Sequence, residues 1–160
     1  MNQFVLALLL CGFLAASAAA QSTIFVVRHA EKAESGGNDP DLSPAGRARA
    51  ESLAGIMKDV GITAIYATEF KRTQETAAPL AKAMGIEVVR IPGKSTGELV
   101  AKLHDLQGGN ALVVGHSNTI PELTKALGVD APVSIAENDY DNLFVVVLDK
   151  QPRLLRLHYR

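Results

Sequence analysis

Two histidines and two arginines stand where chemistry on an anion would be expected. Arg28-His29 closes the apolar run that begins at Thr23, His116 follows the run Ala111 to Gly115, and Arg72 lies just beyond the run Ile62 to Ala67. A neutral imidazole is a competent nucleophile toward phosphorus near neutral pH, provided cationic donors stabilise the charge on the equatorial oxygens as the phosphoryl group moves. Arginine suits that clamp because its planar fork donates two hydrogen bonds at once. A lone histidine at a strand end is usually structural, and an arginine opening a helix is usually solvated. Four such groups converging on one edge describe a phosphate pocket instead. Ser117 and Asn118, at the start of the helix after His116, would add backbone N–H donors and the positive end of a helix dipole. The remaining histidines fit plain roles, His104 on a helix facing solvent and His158 on a final strand.

These residues can meet only if short buried strands bring them to one edge. Thr23 to Arg28, Ile62 to Ala67, Ile86 to Ile91, Ala111 to Gly115, Leu143 to Leu148 and Leu154 to Tyr159 are short, mostly Val/Ile/Leu-rich runs of the kind that form buried strands. Between them Leu53, Ile56, Met57 and Val60 recur at helical spacing, as do Ala77, Leu80, Ala81 and Met84. Ser43-Pro44 reads as an N-cap followed by proline at the first helical position. Ser95 to Glu98 and Thr119 to Glu122 read as capping boxes, and Gly61, Gly85 and Gly128 sit where helices would stop. The alternation predicts a three-layer α/β/α sandwich with a mainly parallel central sheet, in which ligands bind outside the carboxyl ends of the strands. Glu34 to Pro40, with Gly36-Gly37, is the longest loop-like stretch.

Composition narrows the partners. Of 160 residues, 16 are Lys or Arg against 17 Asp or Glu, so no basic excess exists to hold a nucleic-acid backbone. The single cysteine, Cys11, cannot form an internal disulfide, and thiol-redox and zinc-ribbon readings fall away. Met1 to Ala20 hold no charged side chain and pass from an apolar run into small residues, the order of a secretory signal peptide. Cleavage after Ala20 would leave a domain over residues 21–160, exported to the periplasm or secreted, with no membrane attachment. A retained anchor is the alternative, because the n-region lacks Lys and Arg. Lipidation at Cys11 is disfavoured by Leu9-Leu10 before it.

The motifs resemble those of the histidine phosphatase superfamily, the phosphoglycerate mutase-like fold. Arg28-His29-Ala30-Glu31 is similar to its Arg-His-Gly-Glu signature, Leu42-Ser43-Pro44-Ala45-Gly46 to the segment opening its first helix, and Phe70 to Ala77 to its arginine segment. Gly115-His116 is similar to its second histidine motif. Several spaced motifs in the right order weigh far more than one. The resemblance implies that His29 is phosphorylated in turnover, that Arg28, Arg72 and His116 bind the phosphoryl group, and that water then hydrolyses the phosphohistidine. It implies no cofactor and no metal; His29 and His116 also lack a third ligand at typical metal spacing. The expected substrate is a small phosphorylated molecule or a phosphorylated protein side chain.

Departures from the family pattern shape the expected reaction. The Trp-Asn and Leu-x-Glu segments of the mutases are missing, which disfavours a mutase-like phosphotransferase, and Ser117 stands where the acid phosphatase branch carries Asp. The short interval from Arg72 to His116 leaves no room for a large cap, so the site is expected to be open, as in the compact phosphohistidine phosphatases. A general acid is not singled out. Glu31 is a candidate to orient the pocket or supply the proton, Glu98 and Glu122 have capping explanations, and Asp139 and Asp141 precede the fifth strand. Without an acid, a noncatalytic phosphate-binding module is the competing reading from another class.

Overall fold

The computed structural model describes residues 21–160; the expected signal segment and Cys11 lie outside the described residues. In chain order the elements are β1 Ser22–Arg28, α1 Pro44–Met57, β2 Ile62–Ala67, α2 Lys71–Met84, β3 Val88–Arg90, α3 Thr96–His104, β4 Asn110–Gly115, α4 Thr119–Ala126, β5 Asn142–Leu148 and β6 Arg153–His158. They build one six-stranded sheet in the order β3-β2-β4-β1-β5-β6. Strands β1 to β4 run parallel, whereas β5 pairs antiparallel with both β1 and β6. The sheet is therefore mainly parallel, as the alternating strands and helices predict.

Strand alternation divides the core into two layers. Val27, Ile65, Leu112, Val114, Leu143 and Val145 face Leu53, Ala54 and Met57 of α1 and Ala77, Leu80 and Ala81 of α2. Ile24, Val26, Tyr66, Val113, Phe144 and Val146 face Leu103 of α3 and Ile120 and Leu123 of α4. Full burial of each large aliphatic side chain contributes roughly 1.5–3 kcal/mol, so both helix layers are held mainly by this packing.

Two local expectations differ in detail. Ile56 is exposed although it shares the periodic spacing of Leu53; the buried stripe of α1 runs through Gly46, Ala50, Leu53, Ala54 and Met57. The small residues early in the helix, Gly46 and Ala50, pack on Glu31, Ala30 and Leu42 of the segment after β1, which a search for large apolar side chains passes over. Ser95 and Asn118 occupy the N-cap positions of α3 and α4, but neither side chain bonds its helix, so no capping box forms at either end. Ser43 does cap α1, its hydroxyl accepting from the Gly46 N–H at 3.0 Å.

The architecture places a crevice at β1 and β4. These neighbouring parallel strands pair with Arg28 opposite Gly115. The chain leaves β1 toward α1 on one face and leaves β4 toward α4 on the other, the arrangement that opens a binding site at the carboxyl edge of an α/β sheet.

Candidate active site

The strand register brings the two histidines together. The His29 N–H donates to the Gly115 carbonyl at 2.9 Å, continuing the β1–β4 ladder one residue past its end. His29 and His116 thus leave adjacent strands side by side, with ring centroids 5.3 Å apart in an edge-to-face arrangement. Both are buried, at 5% and 8% exposure. They line a cleft of about 510 Å³ with Arg28, Arg72, Ser117 and Asn118. Six of the seven residues expected in the site therefore share one cavity.

His29 is held in one tautomer. Its Nδ1 lies 2.8 Å from the Ala30 carbonyl, which can only accept, so Nδ1 carries the proton and Nε2 keeps its lone pair. Burial pushes its pKa down to about 3, with further lowering from His116 and the two arginines and only partial opposition from the Ala30 bond. The ring is the free base at neutral pH, the form a nucleophile requires.

His116 rests on a threonine relay. Its Nε2 lies 2.9 Å from the Thr68 hydroxyl, which lies 2.9 Å from the Thr73 hydroxyl. Thr73 gives its one proton to a backbone carbonyl, with Phe70 the nearer acceptor at 2.7 Å. Thr68 therefore donates to Thr73, and proton counting assigns the Nε2–H of His116 as donor to Thr68. Burial, joined by the charges of Arg72 and Arg28 and opposed by Glu69, holds the His116 pKa down at about 4. A bound dianion would favour its charged form, with the second N–H free to donate.

The arginines are positioned by different means. Arg28 is buried, and its Nη1 donates to the carbonyls of Ala136 and Glu137 at 3.0 and 2.6 Å while its guanidinium lies over the Tyr140 ring. Its Nε–H is buried without a protein partner. An unmet buried donor costs about 1–3 kcal/mol. Arg72 lies in the first turn of α2, stacked 4.4 Å over the Phe70 ring and 3.9 Å from Asp39. Asp39 also accepts from the Lys71 N–H at 2.9 Å, supplying from the 34–40 loop the cap that Phe70 cannot.

Glu31 is not brought to the cleft. It lines a second cavity, where Arg49 grips its carboxylate through Nε and Nη2 at 2.7–2.9 Å. Burial would raise the Glu31 carboxyl, but the Arg49 bonds, a backbone hydrogen bond and the charges of Arg49 and Arg28 together hold the group below its usual range. Signature spacing identified Glu31 as close in sequence, yet the chain turns after His29 and directs the next acid away. Asp139 and Asp141 line that same second cavity, near Arg156 and His158. Glu98 is exposed on α3, whereas Glu122 does line the cleft.

Several neighbours were not singled out from sequence. Tyr140, the Ala136 and Glu137 carbonyls, Lys32, Lys94 and Glu69 all adjoin the four central groups. Glu69 carried a readable signal, since it immediately follows Thr68 at the carboxyl end of β2, where site residues are expected. Tyr140 and the two carbonyls come from a long connection without periodicity, which offered none. Among the described residues, no cluster of three or more His, Cys, Asp or Glu is placed to hold a metal ion. No helix among them is long and apolar enough to cross a membrane.

Comparison with known proteins gives the fold a context. Residues 24–93 match the model of the histidine phosphatase superfamily, branch 1. The structure is similar to that of the protein histidine phosphatase SixA complexed with tungstate, with a TM-score of 0.72 at 18% identity over 85% of this chain and 96% of that one. It is also similar to the α-ribazole phosphatase from Shigella flexneri, with a TM-score of 0.69 at 16% identity over 85% and 96% of the two chains. A mycobacterial glucosyl-3-phosphoglycerate phosphatase gives a TM-score of 0.68 at 15% identity over 85% and 98%. At these identities the likeness is one of fold. Among curated proteins, the sequence search found no match.

Proposed function

We propose that this chain, whose fold and matched segment are those of the histidine phosphatase superfamily, is a metal-independent phosphatase acting through a phosphohistidine on His29. The observation that carries the reading is a histidine locked as an Nε2 nucleophile in the same cleft as Arg28, Arg72 and His116. The imidazole is ready to attack phosphorus, and the guanidinium groups supply positive charge in the same cleft for the phosphoryl oxygens.

In the first half-reaction, the Nε2 lone pair forms a bond to phosphorus while the bond to the leaving oxygen breaks. Charge on the equatorial oxygens is met by Arg28, Arg72 and His116, with the N-terminal end of α4 at Ser117 and Asn118 adding a fixed dipole. In the second, water attacks phosphorus and the P–N electron pair returns to Nε2, releasing phosphate. His116 gains its second donor when the dianion draws a proton onto it, and the Thr68–Thr73 relay keeps that ring in place.

The three structural neighbours are named for different phosphorylated substrates, so the shared fold does not select one. The apolar Met1–Ala20 stretch supports an exported enzyme, periplasmic or secreted, acting on a small or envelope-attached phosphate ester. Protein recovered from the export fraction, checked by mass spectrometry and assayed with 4-nitrophenyl phosphate plus a chelator, tests both parts. The expected results are an N-terminus near Gln21 and turnover that survives chelation and falls at least about a thousandfold in His29→Ala. An intact Met1 contradicts export with cleavage, and phosphate binding without turnover supports a noncatalytic module instead.

A further inference from the structure

The phosphatase reading leaves one role empty: a group must give a proton to the departing alkoxide, and none of the acids weighed from sequence has a clear claim. Glu31 is tied to Arg49 in another cavity, Asp139 and Asp141 are there too, and Glu98 lies outside the cleft. The cleft itself is lined by two carboxylates, Glu69 at the exit of β2 and Glu122 in the first turn of α4.

Glu69 is the better placed. Its Oε2 accepts the Gly93 N–H at 2.8 Å, so a side chain at the protein surface is fixed by the loop between β3 and α3. Its backbone is fixed as well, because the Gln74 amide donates to the Glu69 and Thr68 carbonyls at 2.9 and 3.2 Å. Thr68, the preceding residue, bonds His116, and Arg72 follows three positions later on the same turn. Its charge also acts on both of those partners, opposing the loss of their protons. No comparable influence of Glu122 on the central groups is seen.

We propose that Glu69 is the general acid of this site, its Oε2 anchored by Gly93 and its Oε1 carrying the proton to the leaving oxygen. As Nε2 of His29 bonds to phosphorus, the P–O electron pair passes to the leaving oxygen, which takes the Glu69 proton and departs as an alcohol. In the second half-reaction, the Glu69 carboxylate takes a proton from the attacking water, and the carboxyl is restored.

This inference rests on the phosphatase reading, and leaving-group dependence separates the two. Glu69→Gln keeps a carbonyl oxygen for the Gly93 N–H and removes only the proton. Its kcat/KM should fall by roughly 10²- to 10⁴-fold for phenyl phosphate, whose leaving group needs protonation, and by less than about tenfold for 4-nitrophenyl phosphate. Equal losses on both esters, no loss on either, or the same leaving-group pattern in Glu122→Gln instead would overturn the assignment. Wild-type protein inert toward both esters would overturn the phosphatase reading and this assignment with it.

Discussion

At the residue scale, the fold holds two buried imidazoles uncharged until an anion enters the cleft. His29 and His116 titrate at about 3 and about 4 in the fold, against 6.5 for a free imidazole, with desolvation the leading cause for both. The unfolded chain therefore binds protons that the folded chain refuses, so stability is complete above about pH 6.5 and declines as pH falls toward the folded values. Each histidine contributes a slope of up to about 1.4 kcal/mol per pH unit within that window. Urea denaturation across the same range should show the decline, with a shallower slope in His29→Gln. An unchanged slope would mean that His29 is not held neutral by the fold. These pairings follow from residue types and positions at strand ends, which is why Arg28, His29, Arg72 and His116 were legible in the sequence. Glu31 was misleading for the same reason. Proximity in sequence to His29 says nothing of the Arg49 fork that claims its carboxylate from α1.

At the element scale, strand boundaries were readable because buried parallel strands are continuous apolar runs; β2 matches its expected bounds, and the others differ only at their ends. Helix contacts were less readable. The first turn of α1 crosses the exit of β1 so closely that a Cβ at Gly46 would overlap the Glu31 carbonyl oxygen, which also accepts the Ser43 N–H at 2.8 Å. The glycine of the Leu42–Gly46 segment is thus there for close approach, while Ser43 caps the helix it opens. Gly46→Ala should cost about 1–3 kcal/mol in chemical denaturation, since backbone rather than a flexible side chain must yield. Wild-type stability in that variant would show that α1 is free to shift. The capping box expected over Thr119 to Glu122 fails for a local reason. The Thr119 hydroxyl, which the box would have used, instead accepts the His116 N–H at 2.9 Å and steadies the turn that presents His116.

At the scale of the whole molecule, topology accounts for the site more than any single contact. Insertion of β4 between β2 and β1 sets three parallel strand ends side by side, and the exits toward opposite helix layers open the cleft between them. The chain from Arg72 to His116 is occupied by α2, β3, α3 and β4, so no cap domain covers the cleft from this segment. The alternation of runs and stripes carried the layer count and the mainly parallel sheet. It did not carry the connection before β5, whose Ala136 and Glu137 carbonyls hold Arg28, because irregular backbone leaves no period to read. The central claim is that His29 carries the phosphoryl group during turnover. Rapid mixing with a ³²P-labelled phosphomonoester, followed by an alkaline quench that preserves phosphohistidine, tests it directly. Label recovered on the peptide containing His29, appearing and decaying fast enough to account for product release, is the predicted result. Product accumulating with no label on that peptide would contradict the account.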